Sequence, residues 1–157
     1  MPGREEFPVT ADNDELVDID LTNTERELMV QVLNEYAGTA QQAFELMAPV
    51  VGRSSEDEWV NYVFPLKQAI KRKEPLSELD WARALFLTEV GFASDLVGSG
   101  RRFGRRADEF WIVELRSLQD KISNYHRYTV LRDNAAYPPA TRSPSSSSSD
   151  TPGLSHF

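Results

Sequence analysis

Four guanidinium groups fall within six residues at Arg101, Arg102, Arg105 and Arg106, inside the stretch Gly98-Ser99-Gly100-Arg101-Arg102-Phe103-Gly104-Arg105-Arg106. Arginine forks match phosphate or carboxylate oxygens bidentately, Phe103 offers a stacking face, and glycines let the backbone approach a ligand closely. Such a segment can bind a phosphate, single-stranded RNA or an acidic peptide. Asp95, one turn ahead of it, is the acid best placed to join the site. The same residues also have a plain structural reading. Gly98 and Gly100 suit a helix C-cap, Gly104 a turn, and Arg101 and Arg102 the negative end of a helix. The segment matches neither a dinucleotide fingerprint, which follows a strand, nor a Walker loop, which needs Gly-Lys-Ser/Thr.

The rest of the chemical inventory is thin. The chain has no cysteine and two histidines, His126 and His156. No His-x-x-x-His or Glu-x-x-His pair appears, so neither a metal nor another cofactor is expected. His126, between Tyr125 and Tyr128, reads as a helix-end residue rather than a general base. Serines are plentiful, but no Gly-x-Ser-x-Gly elbow occurs. Glu89 and Asp95 fall in an apolar segment, where a carboxylate must be paired, neutral or at a wet edge. Their spacing turns them about 120° apart on a helix of roughly 3.6 residues per turn, so one helix cannot aim both at one substrate. Their simplest role is to lie on the one wet edge or to pair with an arginine such as Arg83 or Arg116. No catalytic residue is assigned.

Capping logic marks the elements that must position these groups. An N-cap hydroxyl accepts a free amide, and a side chain three residues on reaches back. Thr22 to Glu25 opens a first helix with Leu28, Met29, Val32, Leu33 and Tyr36 on its apolar face and Gly38 at its end. Thr39 to Gln42 opens a short second helix with Ala43, Phe44 and Met47 inward. Ser55 to Glu58 opens a third, where Trp59, Val63, Leu66 and Ile70 share a face and Pro65 predicts a kink or break. Ser77 to Asp80 opens a fourth. Asp108 is expected to cap a fifth, with Trp111, Leu115, Leu118, Ile122 and Tyr125 as its seam.

The fourth helix stands apart. From Leu79 to Val97 its apolar residues wrap most of the circumference, which predicts burial on several sides. The aromatic residues Trp59, Tyr62, Phe64, Trp81, Phe86, Phe92, Phe110 and Trp111 read as core rather than a ligand cage. No stretch alternates like a strand. The fold expected is all-α: a compact bundle of four to five helices around a central apolar helix at about 78–97.

Hydrophobic residues at 40% and charged residues at 27% describe an ordinary globular chain. Three zones are expected: an acidic, flexible arm at 1–21, a helical domain at 22–132, and a disordered Pro/Ser-rich tail at 133–157. Seven of the acids lie in Met1 to Asp20 against one arginine, so most of the net charge of −8 sits in the arm. Leu16, Val17, Ile19 and Leu21 can dock its end, and the arm itself can fold over the arginine turn. No apolar run reaches the roughly 18 to 20 residues of a membrane span, the N-terminus does not read as a signal peptide, and a cytoplasmic location is expected.

These features predict a non-catalytic interaction or regulatory domain that meets a protein partner through Arg101, Arg102, Phe103, Arg105, Arg106 and Asp95. A nucleic-acid module using the basic residues of 101–106 and 67–73 is the alternative, opposed by the net charge. A small enzyme acting on an anionic substrate ranks third. The seam of the fifth helix can equally serve self-association.

Overall fold

The computed structural model describes residues 15–104 and 106–136. Residues 1–14 of the acidic arm, with the expected docking over the arginine turn, lie outside the described residues, as do Arg105 and the tail from residue 137 onward. Six α-helices form among those described: α1 Asn23–Glu35, α2 Phe44–Met47, α3 Glu56–Lys71, α4 Glu78–Ala93, α5 Asp108–Ile122 and α6 Tyr125–Asp133. Two-residue strands β1 Leu16–Val17 and β2 Leu76–Ser77 pair antiparallel, with Leu16 opposite Ser77. The fold is all-α.

Three helix starts follow the expected chemistry. The Glu25 N–H donates to Thr22 Oγ1 at 3.0 Å and the Thr22 N–H to Glu25 Oε1 at 2.8 Å, a complete capping box. Ser55 and Ser77 likewise accept from Glu58 and Asp80. Others differ. Ala107 occupies the N-cap of α5, and Asp108 is the first helical residue, favouring the positive helix end instead of capping it. Thr39 caps nothing; a 3₁₀ turn at Gln41–Ala43 precedes α2, and the Thr39 hydroxyl donates to Glu35 at 2.9 Å. Pro65 neither breaks nor divides α3, which runs unbroken through it.

The seam of the fifth helix stops at Ile122. Asn124 recaps the chain by accepting the Arg127 N–H at 2.7 Å and starts α6, which leaves Tyr125 75% exposed. α4 also ends early, at Ala93. Trp81, Ala84, Leu85, Leu87 and Phe92 are buried, whereas Leu96 lies past the helix and is 84% exposed. α4 packs against α1, α5 and α6, and α1 in turn packs against α3 and α5, so these two helices share the centre. The end of the arm is docked: Leu21 is buried, and the Val17 carbonyl accepts the Trp81 indole N–H at 2.8 Å. No helix among the described residues is long and apolar enough to cross a membrane.

Candidate partner-binding surface

After α4 the chain doubles back on the helix it has left. The Gly98 N–H donates to the Ser94 carbonyl at 3.0 Å and the Ser99 N–H to the Gly91 carbonyl at 2.7 Å. The path is so close that a Cβ on Gly98 would overlap the Val90 carbonyl oxygen. Gly100, at φ +52°, then starts a 3₁₀ turn through Arg102, a conformation that disfavours side chains. These glycines are held by backbone geometry, without need of a ligand.

The described arginines of the turn, Arg101, Arg102 and Arg106, make contacts within the chain. Arg101 donates to Asp95 from its backbone N–H at 2.8 Å and from its guanidinium at 3.0 and 2.7 Å. That guanidinium beside Asp95, with the Arg101 N–H, holds the carboxyl below its usual range. Arg102 donates to the Gly98 carbonyl at 3.1 Å and to that of Thr39 at 3.4 Å. Arg106 lies over the Phe110 ring, its guanidinium carbon 4.4 Å from the centroid. Arg101, Arg102 and Arg106 are nevertheless exposed.

Phe103 is not a stacking face for a ligand. It is 4% exposed and meets Phe92 and Trp111 edge to face at centroid distances of 5.5 and 5.7 Å. The bend at Gly100 and the second positive φ at Gly104, +66°, turn residue 103 into the core while its neighbours face water.

Glu89 and Asp95 do not converge. Glu89 accepts from Gln119 Nε2 at 2.7 Å, pairing with neither Arg83 nor Arg116, and Asp95 belongs to Arg101. His126 is exposed at the start of α6. Among the described residues no group of three or more His, Asp or Glu is arranged to hold a metal ion.

The basic end of α3 lies beside Phe103–Gly104 of the turn. Lys67 and Lys71 of α3 line a depression of about 280 Å³ together with Gln31 and Asn34 of α1 and Phe103–Gly104 of the turn. Lys67 Nζ donates to Asn34 Oδ1 at 3.0 Å, and Lys71 is exposed. Glu35 is the acid on this lining, and its carboxylate accepts from Thr39.

Two further features escaped the sequence reading. A cleft of about 380 Å³ runs between α4 and α6, floored by Leu85, Phe86 and Leu131 and edged by Glu89, Arg127 and Arg132. Its second wall is α6, which the sequence merges with the fifth helix. Arg53 and Arg83 also flank the Tyr62 ring, at 4.3 and 5.3 Å from its centroid. Compared with known proteins, the chain matches no family model, no curated protein and no solved structure.

Proposed function

We propose that this chain is a non-catalytic, regulatory helical domain that binds an acidic protein partner through the face shared by the arginine turn and α3. One observation carries the reading: Lys67 and Lys71 border the same depression as Phe103–Gly104, with exposed Arg102 and Arg106 on the turn itself. Lys67 and Lys71 beside an arginine-bearing turn, on a chain of net charge −8, favour an acidic partner locally. Asp95 serves by fixing the turn through Arg101. The absence of cysteine suits a reducing compartment, and we place the domain in the cytoplasm.

The test compares wild type with the K67Q/K71Q/R102Q/R106Q variant, both immobilised and equilibrated with lysate. A partner recovered by wild type and released with rising salt is expected to be lost with the variant. An identical set of proteins on both overturns the reading. The same juxtaposition favours a second reading, a nucleic-acid module. It requires a gel shift at low salt with duplex or single strand and a salt slope that shrinks in the variant.

A further inference from the structure

Arg83 is a charged side chain buried in the core. It sits on α4 at 6% exposure, and its Nε has no hydrogen-bond partner. None of the ion pairs among the described residues includes it. Burying a charge without a counter-charge is costly, so buried guanidinium groups normally face a carboxylate. The Tyr62 ring, 5.3 Å from Arg83 Cζ, does not close this account. A π-face attracts the cation, but a guanidinium hydrogen-bonds through N–H groups in its own plane.

The surroundings are shaped to this group. Gly52 adopts φ +69°, and a Cβ there would lie 2.9 Å from Arg83 Nη2. The loop therefore passes against the guanidinium only because residue 52 has no side chain. The loop is closed from the other side by the chain after α6, where the Ala136 N–H donates to the Pro49 carbonyl at 2.7 Å. A second guanidinium, that of Arg53, lies 4.3 Å from the centre of the same tyrosine ring and donates to the Gly52 carbonyl at 3.2 Å. Asp80, the acid of this cluster, accepts from the Tyr62 hydroxyl. Two cations thus share one aromatic ring. Arg53 and Tyr62 are only partly buried, so the cluster reaches the surface at their side.

We propose that Arg53, Tyr62 and Arg83 form a receptor for a small oxyanion, a phosphate or a carboxylate, seated in the plane of the Arg83 guanidinium and clamped by Arg53. Bidentate pairing with oxyanions is what the arginine fork is built for. Asp80 faces the Tyr62 hydroxyl, and the ligand adds a negative charge in the plane of the guanidinium. This site is separate from the partner-binding face and stands without it.

The experiment measures Tm of the full chain against inorganic phosphate, acetate and chloride at equal ionic strength, with calorimetric titration of whichever anion acts. Wild type is expected to gain Tm with phosphate or acetate beyond the chloride control, and the responding anion identifies the source. R83M is expected to lose that response while standing at least as stable as wild type in chloride, because it removes a buried guanidinium whose Nε has no partner. R53M, at a partly exposed position, is expected to fold and to bind about tenfold more weakly, the loss of one charge-assisted contact. Absence of any response beyond chloride overturns the proposal, as does a response that survives R83M. A lower Tm for R83M in chloride assigns the residue to the fold alone, and unchanged affinity in R53M removes the clamp.

Discussion

Asp95 accepts three hydrogen bonds from Arg101, one from the backbone N–H and two from the guanidinium. The turn's conformation is thereby tied to the ionisation of one carboxylate. Its pKa is lowered in the folded chain, first by the Arg101 side chain and then by the Arg101 N–H. A depressed carboxyl stabilises the fold above its ordinary pKa, and that contribution is lost as pH falls through the lower folded value. Both groups are exposed, so the contribution is small and salt weakens it. NMR titration is expected to place the Asp95 midpoint below the usual aspartate value in wild type and closer to it in R101Q. Equal midpoints would show that the pair does not form in solution.

Phe103 lies between two arginine pairs in sequence and belongs to the core in space. Its edge-to-face contacts with Phe92 and Trp111 anchor the turn to α4 and α5. Phe103→Ala is expected to cost about 3 kcal/mol or more in urea unfolding, the range of a large-to-small core change. Neutralising the neighbouring exposed Arg106 is expected to leave stability within about 0.5 kcal/mol. A small effect of Phe103→Ala would return the ring to the binding surface.

A buried acid supplies the chain's clearest pH dependence. Glu25 is 1% exposed and accepts from Lys121 Nζ at 2.7 Å, from the Ser117 hydroxyl and from the Thr22 N–H at 2.8 Å. Burial alone pushes its carboxyl up; the bonds from Lys121, Ser117 and Thr22 outweigh this and hold it below its ordinary 4.5. The stabilisation is therefore complete above about pH 4.5 and declines as pH falls through the folded value. Lys121→Met strands the carboxylate and is expected to cost about 2 kcal/mol at neutral pH, moderated by the partial exposure of Lys121. That cost is expected to shrink on acidification as Glu25 takes up a proton. Urea titrations at pH 7 and near pH 4 measure both, and a cost independent of pH would detach Glu25 from the effect.

What the sequence makes legible is local. Trp59, Val63, Leu66 and Ile70 are all buried because one helical face must meet the core, and Thr22, Ser55 and Ser77 cap because the free amides are three residues away. Tyr125 continues the 4–3 spacing of α5, yet periodicity carries no information about Asn124, whose side chain captures the Arg127 N–H and restarts the helix. The turn shows the same limit. Charge at 101, 102 and 106 locates a basic segment, but the inward rotation of Phe103 depends on two positive φ angles and on a pocket built by α4 and α5. That Lys67 and Lys71 border this segment depends on α1 lying between them, a tertiary fact. Arg83 reads in sequence as the partner of an acid, whereas the ring it meets comes from α3, and the loop against it comes from residues just before that helix.

The crossing of α1 and α4 turns on Gly91. In an open helix, replacing glycine by alanine gains up to about 1 kcal/mol. Here a Cβ would stand 2.5 Å from Val32 Cγ1 and 3.0 Å from the Tyr36 hydroxyl, and both residues are buried. Tyr36 cannot retreat freely, since its hydroxyl donates to the Leu87 carbonyl at 2.6 Å. Overpacking of this kind costs about 1–3 kcal/mol, which exceeds the helical gain. Gly91→Ala is expected to lower the urea midpoint with the slope unchanged. Removing the obstructing methyls in a G91A/V32A double variant is expected to cost less than the two single changes added together. Additive costs, or a raised midpoint for Gly91→Ala alone, would mean that the two helices are not in contact at this residue.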